Sequence, residues 1–178
     1  MAEKSLGAGA WAVLALTAEG PTHGFAVAKA LGPDGEIGRV WSLSRPLVYR
    51  ALDELVEAGL VEKGAIEPSD RGPDRRSIRA TPLGRRRLGR WLDEPVEHVR
   101  DVRSLLMLKL LFLHRSGGDP GQLLEAEQAL LEPVSEALEA QARELLGFER
   151  MLVQWRLEST RAVLRFLDAA RSSTESRR

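Results

Sequence analysis

Residues 40–62 read VWSLSRPLVYRALDELVEAGLVE, and the spacing of their apolar positions changes once. From Ser44 onward Leu47, Val48, Leu52, Leu55 and Val56 recur at helical intervals. Ser44 suits an N-cap, Pro46 is tolerated in a first turn, and Gly59 is the usual residue just past a helix C-terminus. Leu60-Val61 then opens a strand that runs to about Glu67. Helical geometry turns Leu47, Leu52, Leu55 and Val56 mainly to the core. Ser44, Arg45, Tyr49 and Arg50 remain as an outward-facing set at the start of the helix.

Working outward, residues 68–73 have turn chemistry, and RRSIRAT (75–81) returns as a second strand. The result is a hairpin with an arginine- and glycine-rich tip. Thr81-Pro82 restarts helix as N-cap and N1 proline, to about Asp93. Upstream, residues 6–18 form an apolar helix stopped by Gly20-Pro21. Thr22 suits the cap of a second helix carrying Phe25, Val27, Ala28 and Leu31, which Gly32-Pro33-Asp34-Gly35 ends in a turn. Three helices, a two-stranded hairpin and a further helix make a winged helix-turn-helix. In that arrangement one helix enters the major groove and the wing reaches sideways to phosphate or minor groove.

Beyond Pro95 the pattern is entirely helical. Residues 98–115 are apolar on most sides, as in a helix buried between subunits. Ser116-Gly117-Gly118 breaks it, and Asp119-Pro120 starts the next helix. Leu131, Leu138, Leu145 and Leu152 stand seven apart, with Val134, Gln141, Phe148 and Trp155 as the matching series. Pro133 and Gly147 interrupt that seam, which predicts two antiparallel helices and not one rod. The expected fold is therefore mainly α. A winged helix-turn-helix domain with a two-stranded wing spans residues 1–94, an all-helical dimerisation domain 95–171, and a loose tail 172–178. Dimerisation is assigned to Leu105, Leu108, Phe112, Leu145, Phe148, Leu152 and Trp155, since these helices carry more apolar surface than one small domain buries.

Composition narrows the function. The 178 residues include no cysteine, which removes disulfides and thiolate metal sites and suits a cytoplasmic protein. Formal charge is zero, 26 basic against 26 acidic residues. Its distribution is uneven: Arg71, Arg75, Arg76, Arg79, Arg85, Arg86, Arg87 and Arg90 face only Asp74 between positions 71 and 90, a local +7. The uncharged run 5–18 is too short to span a bilayer, and Glu3 beside Lys4 spoils a signal-peptide start. His23, at a helix start, reads as a cap or packing residue. His98 and His114 have no ligand cluster around them. Gly7-Ala8-Gly9 lacks the spacing of a phosphate-binding loop, and the eighty or so residues after Pro95 hold no catalytic cluster. No enzyme, no metal site and no cofactor are expected.

The segments GPTHGFAVAKAL (20–31), VWSLSRPLVYRALDELVEAGLVE (40–62) and RGPDRRSIRATPLGRRRL (71–88) together resemble the PadR family of bacterial transcription regulators. The resemblance covers about residues 6–92. The C-terminal half is similar only in layout to the longer subgroup with a helical dimerisation region. The resemblance implies a homodimeric regulator, usually a repressor, that releases DNA when a small effector binds. It also implies that residues 44–59 are the recognition helix and that Tyr49 touches the DNA backbone. The chain departs from many members at Pro46 and Leu47, so base contacts at those two positions are not carried over.

The expected partners are double-stranded DNA, a second copy of the chain, and a small apolar or aromatic effector, with no membrane. Arg45 is the base reader, because arginine pairs bidentately with guanine O6 and N7. Tyr49 and Arg50 suit phosphate, although Arg50 also stands four residues before Glu54, at ion-pair spacing. Arg71, Arg75 and Arg76 suit phosphate or the minor groove. Lys4 is placed either near phosphate or in a loose terminus. Trp155 with Phe148 and Phe166 makes either an effector site between subunits or plain core packing. A dimeric winged-helix module that binds protein instead of DNA is the competing reading, favoured by the neutral total charge.

Overall fold

The computed structural model describes residues 6–67 and 75–175. Its elements in chain order are α1 (Ala8–Ala18), β1 (Thr22–His23), α2 (Gly24–Ala30), α3 (Arg45–Glu57), β2 (Val61–Glu67), β3 (Arg75–Ala80), α4 (Pro82–Asp93), the single turn α5 (Val99–Asp101), a π-helical stretch (Val102–Leu106), α6 (Met107–Ser116), α7 (Gly121–Glu144) and α8 (Gly147–Glu175). They make two compact units. One holds α1 to α4, the sheet and α6; the other holds α5, the π-helical stretch, α7 and α8.

In the first unit α1 has no solvent face: Ala10 to Leu16 and Thr17 are all buried. An uncharged sequence is what such a position requires, because each buried charge without a partner would be costly. The one hydroxyl, on Thr17, donates to the Leu14 carbonyl at 2.8 Å. Trp11 stacks on Trp91 of α4, ring centroids 4.7 Å apart. The Lys109 ammonium of α6 lies over the other tryptophan, Trp91, 4.8 Å from its centroid, and donates to the Trp91 carbonyl. At the end of α6, Arg115 donates to both carboxylate oxygens of Glu19 (2.6 and 2.7 Å) and to Glu36 (2.6 Å). Hydrogen bonding to Glu19 is the main cause of its raised pKa; burial opposes the rise.

The two-stranded hairpin of β2 and β3 is present, and β1 adds a third short strand to it. The sheet order is β1-β3-β2, all antiparallel, because Thr22 and His23 pair with Ile78 and Ser77. Thr22 is thus a strand residue, and His23 caps α2 in its place, its Nδ1 accepting from the Ala26 amide at 3.1 Å. β2 and β3 pair from Val61–Ala80 to Glu67–Arg75, with an irregularity between Lys63 and Ile66. Gly59, at φ 68°, ends α3 as its position predicts. Thr81 then joins three elements: its hydroxyl donates to the Gly59 carbonyl (2.8 Å) and accepts from the Gly84 amide in α4 (3.0 Å). Gly84 has no room for a side chain, since a Cβ would stand 2.1 Å from the Leu60 carbonyl oxygen.

In the second unit α7 and α8 lie antiparallel, Arg171 reaching Gln128 at 2.7 Å and Arg161 reaching Glu139 at 3.0 Å. Leu138, Ala142, Val153 and Leu157 form the core between them, with Leu145 packed against it. The chain reverses at Gly147 (φ 60°). Pro133 does not break α7, which continues through it to Glu144. The expected tail from 172 is helical to Glu175. Buried Glu127 accepts from the Val96 amide at 2.6 Å.

Replacing Thr81 with alanine removes both hydrogen bonds at the junction of α3, β3 and α4. It is expected to lower stability by about 1–2 kcal/mol, read as a lower urea midpoint at unchanged slope. Thr81→Ser should keep most of the wild-type value. Equal midpoints for all three proteins would show that the hydroxyl does not hold this junction.

Candidate nucleic-acid interface

α3 divides into two faces. Val48, Ala51, Leu52 and Leu55 are buried, and Ser44, Arg45, Tyr49 and Arg50 are exposed. Leu47 corrects the expected core set: it is 44% exposed. At 100° per residue Leu47 and the half-buried Val56 lie roughly 90° round from the centre of the inner face. Phe25, one of the apolar positions that recur along α2, is 52% exposed. The seven residues of α2 bury only Val27.

The exposed set gathers at the start of α3. Ser44 is the N-cap, and its side chain makes no capping hydrogen bond. The Arg45 guanidinium carbon sits 5.5 Å from the Phe25 ring centroid and 5.8 Å from that of Tyr49. The Tyr49 ring lies against the first residue of α2. A Cβ on Gly24 would come within 2.8 Å of its Cε1, so only glycine permits this approach. His23 stacks on Phe25 at 6.4 Å between centroids, with 23° between the ring planes. Three consecutive residues, His23-Gly24-Phe25, therefore build one side of the surface on which Arg45 and Tyr49 stand. Arg50 is engaged differently: its Nε lies 3.5 Å from Glu54 Oε1, the ion pair that the spacing of four allows.

The basic segment is less uniform in the structure than in the sequence. Arg71 falls outside the described residues, as does the Arg75 side chain; the Arg75 backbone is in β3, opposite Glu67. Arg76 is exposed on the same strand. Arg79 pairs with Glu62 directly across from it, Nε to Oε1 2.6 Å. Arg85, Arg86 and Arg90 are exposed on α4, while Arg87 lies over the Trp11 ring at 5.7 Å. Lys4 lies outside the described residues.

The residues assigned to dimerisation separate into two groups. Leu108 and Phe112 are buried within the chain, and Leu105 and Leu145 are half-buried. Phe148 (71% exposed), Trp155 (72%) and Leu152 face solvent together with Met151 and Leu146, neither of which the heptad spacing singles out. Among the described residues no three His, Asp or Glu side chains cluster as metal ligands would. No helix among them is long and apolar enough to cross a membrane.

Residues 13–90 match the family model described as "Transcriptional regulator PadR-like family". Among curated proteins, none matches the chain. Solved structures similar to it include Bacillus subtilis PadR in complex with operator DNA, at 17% identity and a TM-score of 0.49, covering 96% of this chain and 99% of that one. The same protein in complex with p-coumaric acid is 16% identical, with a TM-score of 0.43, over 95% of this chain and 99% of that one. A PadR-like transcriptional regulator from Bacillus cereus is 17% identical, with a TM-score of 0.41, over 96% and 99%. The likeness to the PadR-like family of transcriptional regulators thus lies over residues 13–90, the stretch that holds α2, α3 and the hairpin of β2 and β3.

Proposed function

We propose that the chain is a sequence-specific DNA-binding transcription regulator, a repressor that acts as a homodimer on an inverted-repeat operator and leaves it when a small apolar or aromatic effector binds. The observation that carries this reading is the exposed start of α3, where Ser44, Arg45 and Tyr49 stand together at the end of a helix whose other face is core. The N-terminal end of a recognition helix meets base edges. Its free amides and positive dipole end also favour phosphate. Arg45 is the base reader, and Ser44, Tyr49 and Arg50 lie beside it for the backbone. The Arg50–Glu54 pair is no obstacle, since an exposed pair of this kind contributes about 0–1 kcal/mol and is readily exchanged for phosphate. Arg71, Arg75 and Arg76 supply the wing contacts. The chain acts in the cytoplasm by binding, without catalysis.

The homodimer reading is supported by α8. Val153 and Leu157 are buried against α7, while Met151 and Trp155 lie on the opposite side of the helix and are exposed. A helix with two apolar faces leaves one of them for another surface. A two-fold dimer would set two copies of α3 on successive major-groove turns, about 34 Å apart. The same aromatic face is the place to look for the effector.

The test is selection of bound duplexes by the full chain from a random pool. Recovery of an inverted repeat, bound more weakly as salt rises, is expected. No enrichment at any salt concentration would favour the protein-binding module that the neutral total charge suggests. Replacing Arg75 and Arg76 together with alanine should weaken binding to every duplex alike and flatten the salt dependence by about two phosphate contacts. A loss confined to one base pair would overturn the wing assignment. Replacing Phe148 and Trp155 together with glutamate is expected to give monomers in sedimentation, with DNA affinity reduced at least about tenfold. A dimer that persists through both changes would remove α8 as the interface.

A further inference from the structure

We propose that Phe25 is a specificity-determining positioning residue: with Tyr49 it forms an aromatic cradle that holds the Arg45 guanidinium ready to read a base. The inference rests on the DNA-binding reading above and concerns a residue that the sequence pattern gave only as one of the apolar positions of α2. Four observations support it. The guanidinium carbon of Arg45 is within 6 Å of two ring centroids, Phe25 at 5.5 Å and Tyr49 at 5.8 Å, the range in which a ring face attracts a cation. Phe25 is more than half exposed, so hydrophobic burial does not account for it. His23 stacks on Phe25 while its own Nδ1 caps α2, which ties the orientation of the ring to the start of that helix. Gly24 leaves the space that the Tyr49 ring fills.

Among the described residues no carboxylate pairs with Arg45, although Arg50 and Arg79 each pair with one and Arg115 with two. The difference has a chemical consequence. A carboxylate occupies the N–H donors of a guanidinium, the same donors that guanine O6 and N7 require. A ring face holds the cation through its charge and leaves those donors available. An arginine already confined between two rings also loses less rotamer freedom when it docks than one that is free in solvent. The cradle therefore acts on discrimination between bases through Arg45, without Phe25 needing to touch the base itself.

The experiment compares wild type, Phe25→Leu, Phe25→Tyr and Arg45→Ala. The DNA probes are the duplex that wild type enriches from a random pool and its single-base-pair substitutions. Arg45→Ala should lose discrimination at one base pair per half-site. Phe25→Leu should lose about 3- to 10-fold of discrimination at that same base pair, with unchanged affinity for a scrambled duplex and an unchanged melting midpoint. Phe25→Tyr, which keeps a ring face, should restore it, and Phe25→Leu should cause no further loss in an Arg45→Ala background. Retained discrimination in Phe25→Leu, or an equal loss of affinity for all duplexes, would overturn the cradle while leaving DNA binding in place. A measurement without DNA separates the two readings. Nitrogen relaxation of the Arg45 side chain should show a restricted Nε–H that loosens in Phe25→Leu. An Arg45 as mobile in wild type as the exposed Arg85 would overturn the cradle, whether or not the chain binds DNA.

Discussion

The first unit depends on the complete burial of α1. Eight consecutive residues from Ala10 to Thr17 are buried, and α3, whose buried residues are Val48, Ala51, Leu52 and Leu55, packs on this helix. Burying each such valine or leucine contributes about 1.5–3 kcal/mol. The orientation of α3 is therefore fixed by its inner face. What remains for function is its complement: the first turn and the outer side, where Ser44, Arg45, Tyr49 and Arg50 stand. The stacked pair Trp11–Trp91 extends the same constraint to α4, and Lys109 extends it to α6. A helix that carried even one outward-facing lysine in place of Ala12 or Ala15 could not serve as this pillar.

Charge is organised by the same logic of partners. The total is zero, and several basic residues are paired inside the chain: Arg115 with Glu19 and Glu36, Arg79 with Glu62, Lys63 with Asp53, Arg161 with Glu139. A count of arginines between positions 71 and 90 overstates the field that the segment projects, because Glu62 stands across the strand from Arg79. Sequence spacing along one strand does not reveal the acid on its neighbour. Among the named arginines of α3 the distinction is finer. Arg50 faces a carboxylate within its own helix, and Arg45 faces two rings.

Much of the fold was legible because its boundaries are set by strong local chemistry. Thr81-Pro82, Gly59 and the change of period at Leu60 each specify a backbone conformation on their own, and the structure places α4, the end of α3 and β2 there. β1 was not legible, since two residues carry no alternation. Thr22 and His23 are a strand only because Ile78 and Ser77 offer them hydrogen bonds. Leu47 was read as core, and Phe25 only as part of the apolar repeat of α2, for a related reason. Apolar spacing assigns a residue to a helix face, but α2 buries only Val27, and Leu47 lies roughly 90° round from the centre of the inner face of α3. Of the candidate site, the polar members at the start of α3 were read correctly as an outward set. The aromatic side of that surface was not singled out, because Phe25 was read only as one of the apolar positions of α2.

The heptad spacing in the last two helices shows the same limit in another form. Steps of three and four identify positions that share a stripe, and they do not say which surface the stripe meets. Leu131 and Leu138 are buried within the chain, whereas Leu152, in register with them by sevens, faces solvent together with Phe148 and Trp155 of the matching series. The reversal at Gly147 explains the change. Once the chain turns back on itself, the register has to be read afresh on α8, and the face that meets α7 becomes the one through Val153 and Leu157. Positions that continue the old register then point away. A single unbroken count across a turn therefore merges two stripes with different destinies: one completes the chain's own core, and the other is left exposed, with aromatic residues at both of its second-series positions.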